Sequence, residues 1–90
     1  IDPKALVRAK ANLYLNQGLG VKEHASHTDY PFPHKGALYS LNTCDGYTKI
    51  GEEKIPSVAN RIVFFDPSEQ HCSTSCSDTK TRVNINFNYF

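Results

Sequence analysis

Arg82-Val83-Asn84-Ile85-Asn86-Phe87-Asn88-Tyr89 alternates without a break. Val83, Ile85, Phe87 and Tyr89 share one side, and Arg82, Asn84, Asn86 and Asn88 the other. Period two is the signature of a β-strand, because successive side chains leave a pleated chain on opposite faces. Lys10–Asn16 repeats the pattern, with Ala11, Leu13 and Leu15 opposite Asn12, Tyr14 and Asn16. If the polar faces look inward, toward a site, the apolar faces look outward and need cover. The expected cover is a set of helices outside these residues.

Between these two strands the chain reads as short extended stretches divided by turn residues. Gln17-Gly18-Leu19-Gly20 breaks the first strand, and Val21–Asp29 extends again. Tyr30-Pro31-Phe32-Pro33-His34-Lys35-Gly36 reads as a loop, since two prolines and a glycine deny a regular ladder. Ala37–Thr43 is strand-like, Cys44-Asp45-Gly46 a turn, Tyr47–Ile50 extended and Gly51-Glu52-Glu53 a turn. Ile55–Val58 is a short strand. Arg61-Ile62-Val63-Phe64-Phe65 follows, and its apolar run predicts burial on both faces. Gln70–Ser75 is a weak strand. Asp2–Lys10 reads as a helical remnant or lead-in, because Pro3 suits a first helical turn. The sum is about eight strands with turn signals every 8–12 residues, an all-β sandwich or barrel.

Ninety residues hold one small domain. Ten Lys+Arg against nine Asp+Glu give a net charge of +1, which argues against nucleic-acid binding by a strong basic field. A 39% hydrophobic and 21% charged composition is globular and not disordered. No apolar run approaches the roughly 20 residues of a membrane helix. No basic-then-apolar leader opens the chain, so a cytoplasmic location is expected. The start at Ile1, without Met, suggests a segment of a longer protein. Cys44, Cys72 and Cys76 are an odd count with no C-x-x-C pair, which excludes a four-cysteine zinc site and favours reduced thiols.

The candidate chemistry begins at His27-Thr28-Asp29. On a strand these outer two residues point the same way, about 6.6 Å apart at Cα, so both can reach one metal. His71 follows the Ile62–Phe65 run. Two histidines and a carboxylate form the facial triad of non-heme Fe(II), with positions left open for substrate and O₂. Arg82 comes eleven residues after His71, on the polar face of the last strand. A guanidinium inside a barrel is costly unless an anion pairs with it, and its fork suits a dicarboxylic acid.

With these residues in order, the chain resembles the Fe(II)- and 2-oxoglutarate-dependent dioxygenases, most closely their prolyl-4-hydroxylase-like branch. The matching text is His27-Thr28-Asp29, Leu38–Asn42, Asp45-Gly46-Tyr47-Thr48, Asn60–Phe65, His71 and Arg82–Phe87. The resemblance runs from about Lys10 to the end. It implies a double-stranded β-helix (jelly-roll, cupin-like) core over residues 1–90, with a flanking helix outside the segment or at its start. It implies that His27, Asp29 and His71 ligate Fe(II), and that Arg82 binds the far carboxylate of 2-oxoglutarate. Tyr14 falls where relatives often place a tyrosine near the cosubstrate. Asn84, Asn86 and Asn88 would line the cavity beside Arg82. Many prolyl hydroxylases carry a tyrosine on the third core strand. Here that position is Ser40, with Tyr39 on the opposite face. The implied reaction couples decarboxylation of 2-oxoglutarate to succinate and CO₂ with hydroxylation of a peptide, protein or small-molecule substrate by O₂.

Other residues read more plainly. His24 faces away from His27 on an extended strand. His34 belongs to the Pro31–Gly36 loop, where Tyr30 and Phe32 form a candidate lid or substrate wall. Asp45 and Asp66 are turn formers, Arg61 a turn residue, Glu52-Glu53 a solvated pair. Cys72, next to His71, points away from the metal. Two other functions fit the same residues: a cupin-like metal enzyme without 2-oxoglutarate, and a metal-free jelly-roll binding module.

Overall fold

The computed structural model describes residues 5–30 and 32–90. Its strands are β1 (Leu6–Leu15), β2 (Lys35–Ser40), β3 (Tyr47–Ile50), β4 (Glu53–Pro56), β5 (Ile62–Phe65), β6 (His71–Ser73) and β7 (Thr81–Tyr89). All the pairings are antiparallel. They build a four-stranded sheet, β1-β7-β2-β5, and a three-stranded sheet, β4-β3-β6.

Residues 21–29 complete the smaller sheet. Isolated bridges pair Glu23 with Thr74 and His27 with His71, along the edge of β6 that β3 leaves free. The backbone N–H of His24 donates to Ser73 O at 2.9 Å, and His27 and His71 exchange bonds of 2.9 and 3.0 Å. The eighth expected strand is therefore this bridged segment, shorter in its ladder than period-two reading suggested. The chain visits the two sheets in the order large, small, large, small, small, large, small, large. The result is an all-β two-layer roll.

Register decides which side chains face the interior, because partners across an antiparallel pair share a face. Tyr14 lies opposite Arg82, Asn12 opposite Asn84, Lys10 opposite Asn86 and Arg8 opposite Asn88. On the other side of β7, Ser40 pairs with Asn84 and Leu38 with Asn86. The polar faces do look inward. Arg82 and Asn88 are 0% exposed and Asn84 1%. The apolar faces look outward, with Leu13 62% and Phe64 60% exposed.

Three local expectations are corrected. Leu6–Lys10 is strand, not helix, because Arg8 and Lys10 continue the inward row that Asn12 and Tyr14 begin. Residues 2–4 lie outside the described residues, and no helix occurs among those described. The strand β5 is not buried on both faces. It is a sheet edge whose outward Ile62 and Phe64 meet no second layer, and Ile62 is 40% exposed. The loop after Tyr30 ends before Lys35, where β2 takes up its register with β7. Ladder bonds to two neighbours there outweigh the breaking tendency of Gly36, and Phe65 packs its ring over that glycine. All the cysteines are free and buried. Cys72 pairs with Lys49 and so lies on the face opposite His71.

Candidate metal and anion site

The edge segment carries His27 and Asp29, and the neighbouring strand β6 opens with His71. The His27–His71 bridge sets the two imidazoles side by side, with ring centroids 4.5 Å apart. Asp29 is anchored by its backbone N–H, which donates to Pro67 O at 3.1 Å. One donor atom from each of the three residues lies within 4.8 Å of the others. Phe65 packs edge-on against His71, at 5.2 Å between centroids, and closes one side.

Contacts to backbone carbonyls orient both rings. His71 Nδ1 is 2.8 Å from Glu69 O, and His27 Nδ1 is 3.4 Å from Ala25 O. Both Nε2 atoms face the same oxygen, Asp29 Oδ1, at 3.1 and 3.4 Å. The second oxygen, Oδ2, is buried with no hydrogen-bond partner. The Asp29 side chain is 2% exposed, so this carboxylate sits out of water against two imidazole nitrogens. Such an arrangement is costly unless a cation lies among the donors. Two imidazoles and one carboxylate suit Fe(II) and related divalent ions, and they leave coordination positions open. The residues therefore fit a metal on the donor chemistry alone.

Around this cluster is a cavity of about 160 Å³. Its walls include Tyr14, Asn12, Asn84 and Asn86 from the large sheet, and Thr48 and Ser73 from the small one. That volume is comparable to the ~150 Å³ space that takes a benzene ring. Behind Tyr14, Thr48 and Ser73 of that wall lies Arg82, fully buried and not itself part of the lining. Its guanidinium donates to Thr48 Oγ1 at 2.9 Å, to Thr74 O at 3.0 Å and to Ser73 Oγ. Its Cζ is 5.6 Å from the Tyr14 ring centroid, a cation–π contact. Nε has no partner, and no carboxylate among the described residues lies within 4 Å of the group. Burial holds the Arg82 pKa below its ordinary value, because removal from water disfavours the charged form. Gly46 makes room for the arginine stem. A Cβ there would sit 2.7 Å from Arg82 Cδ and 2.6 Å from Ser75 O.

The other sequence candidates fall as follows. Ser40 is buried on the inward face, and its backbone closes the Asn60-Arg61 turn; its side chain is not part of the cavity wall. Asn84 and Asn86 line the cavity, whereas Asn88 does not. Asn88 lies six residues along the strand from Arg82, with its Oδ1 3.0 Å from His34 Nε2. His24 is exposed against the Tyr14 ring, 5.2 Å between centroids, away from the metal cluster. Thr48, Ser73 and Gly46 around the guanidinium, and Arg8 and Lys10 on the inward face, were not singled out from the sequence. Extending the period-two row of Asn12 and Tyr14 backwards would have found the last two.

No protein-family model and no curated protein matches the sequence. Among solved structures, the chain is similar to the crystal structure of a cupin protein from Bacteroides fragilis, with a TM-score of 0.62 and 16% identity. The chain has the cupin fold. The match covers 90% of this chain and 63% of that one, so this chain spans less than two thirds of that protein's length. At this identity the likeness concerns architecture, and the function has to be argued from the site. His27, Asp29 and His71 fit a metal-dependent cupin.

Proposed function

We propose that this cupin is an Fe(II)- and 2-oxoglutarate-dependent oxygenase that hydroxylates a peptide, protein or small-molecule substrate. The observation that carries the proposal is Arg82: a buried guanidinium without a carboxylate partner, packed directly behind Thr48, Ser73 and Tyr14 in the wall of the cavity that holds the His27/Asp29/His71 donors. A buried cation beside a metal-type donor set asks for an anion that also reaches the metal, and a small 2-oxo diacid does both.

His27, Asp29 and His71 would hold the iron, which supplies the activation of O₂ that protein side chains cannot perform. Arg82 binds the far carboxylate of the diacid, backed by Thr48, Ser73 and the Tyr14 ring. Asn12 holds Asn84 by donating from Nδ2 to Asn84 Oδ1 at 3.0 Å, which leaves the Asn84 amide N–H₂ buried, unpartnered and free to position a bound oxygen. Phe65 and Leu38 exclude water from the donor cluster. Prolyl hydroxylation is what the resemblance adds, and it rests on that resemblance alone.

A second reading is a metal-dependent cupin that takes no 2-oxoglutarate. It is favoured by the contacts Arg82 already makes to Thr48, Ser73 and Thr74, which satisfy most of its donors. Thermal melting separates the two. Mn(II) in large excess should raise Tm, and 2-oxoglutarate should raise it further, together by about 10 °C or more for saturation near 100 Kd. Arg82→Gln should abolish the second rise and leave the first. Succinate should form from 2-oxoglutarate with Fe(II) and O₂. A rise with metal alone, no effect of 2-oxoglutarate and no succinate would establish the second reading instead.

A further inference from the structure

The cavity lining carries two cations of its own, separate from the Arg82 packed behind it. β1 contributes Arg8 and Lys10 to its lining, on the same inward row as Tyr14. Arg8 lies opposite Asn88, and Tyr14 opposite Arg82, six strand positions away. At 3.3 Å per residue that separation is roughly 20 Å, and Lys10 is roughly 13 Å from the Tyr14 level. A small diacid gripped by Arg82 cannot span either distance. Arg8 is fixed at the mouth by the Tyr30 ring, with its Cζ 5.4 Å from the ring centroid, which leaves its in-plane N–H donors free. Neither Arg8 nor Lys10 has a carboxylate within 4 Å among the described residues. The cavity lining contains one carboxylate, Asp29, which belongs to the metal donors. Between these cations and Arg82, Asn84 Nδ2 and Asn86 Oδ1 are buried without partners. Asn84 is 1% exposed, so its unpaired donor points to a polar ligand beside it.

We infer that the substrate of this site carries its own carboxylate, bound by Arg8 and Lys10 at the outer end of the cavity and separate from the diacid bound by Arg82. The inference rests on the oxygenase reading for the word substrate, while the anion site stands on the cavity lining itself. Arg8 supplies a planar fork for the carboxylate and Lys10 a second charge. The Asn84 and Asn86 amides read a donor and an acceptor further in, as a backbone amide or an α-amino acid presents them. The substrate class is an acidic amino acid or an acidic residue of a peptide.

The test is calorimetric titration with N-acetyl aspartate, N-acetyl glutamate and their uncharged amide counterparts. The protein is loaded with Mn(II) and with N-oxalylglycine, a diacid directed at Arg82. At least one acid should bind ten-fold or more tightly than its amide. Arg8→Gln with Lys10→Gln should erase that preference. Arg8→Glu with Lys10→Glu should reverse it. Arg82→Gln, titrated with Mn(II) alone, should keep it. Both β1 positions are exposed, and melting curves verify that the variants fold. Equal affinity for acid and amide, no binding of either acid, or a preference that survives loss of both basic residues would overturn the inference. Should N-oxalylglycine fail to bind while the acid preference persists, the oxygenase reading falls and the anion site stands.

Discussion

The two faces of the four-stranded sheet are built from the same strands and obey opposite rules. Inward, β7 presents Arg82, Asn84, Asn86 and Asn88, and the first two of these with Asn88 are among the most buried side chains in the molecule. Outward, β1, β7, β2 and β5 present Leu13, Leu15, Ile85, Tyr39, Ile62 and Phe64, several of them more than half exposed. Ordinary domains place apolar groups inside and tolerate scattered apolar groups outside. Here the interior is committed to donors, acceptors and a cation, and among the described residues the buried apolar groups are few: Ala37, Tyr89 and three small thiols. A wall designed to meet a polar ligand cannot also supply hydrophobic stabilisation, and a continuous apolar face of this kind is where further packing is accepted.

The contrast can be broken most completely at Asp29. Asp29→Ala should abolish the Mn(II)-induced rise in Tm, with metal affinity falling by more than the ~100-fold that loss of a mere outer partner costs. Without metal, the same variant should be no less stable than the parent within about 1 kcal/mol, because it removes a buried carboxylate whose Oδ2 has no hydrogen-bond partner. Chemical denaturation in a chelator reads the second outcome. Next in size is Gly46→Ala, which presses a methyl group on Ser75 O and Arg82 Cδ. Overpacking of this kind should cost about 1–3 kcal/mol in urea unfolding, and should weaken 2-oxoglutarate binding while leaving metal binding intact.

The outward face should respond far less. Phe64→Ser and Leu13→Ser should each change unfolding free energy by no more than about 0.5 kcal/mol, since both side chains already stand mostly in water. Both should lower the binding of an apolar dye such as ANS. A larger loss of stability would show that this face is covered. The smallest effect belongs to the clamp between Tyr47 and Glu23, far from either face. The Tyr47 phenol donates to Glu23 and, as the main cause, holds its pKa below the ordinary carboxylate value. The folded state therefore binds fewer protons than the unfolded state between those two values. That contribution is present above the ordinary value and is lost as pH falls through the lowered one. In Tyr47→Phe the Glu23 titration midpoint, followed by NMR, should move back up.

Much of this was legible along the chain. Strict alternation in Arg82–Tyr89 and Lys10–Asn16 gave two strands and correctly set their polar faces inward. The spacing of His27 and Asp29 on an extended segment placed both on one side, where the structure brings His71 to meet them. The failures have particular physical causes. Pro3 suggested a helical start, and this hid the inward row that Arg8 and Lys10 belong to. The unbroken Ile62–Phe65 run looked doubly buried, but an edge strand with a bare outer face carries the same composition. Ser73 gave no signal, and Gly46 and Thr48 entered only within a matching stretch and with no role, because hydroxyls and glycines occur near turns for many reasons and only the folded register collects them around Arg82.

The bridged edge formed by residues 21–29 has a consequence for any ion that enters. Two of its three donors ride on a segment joined to its neighbour by isolated bridges, while the third belongs to a strand laddered to β3. Coordination would stitch a loosely fastened hem to firm cloth, and part of the ion's binding free energy would go into stilling that hem. Slow amide exchange along Glu23–Asp29 and tight ion retention should rise and fall together.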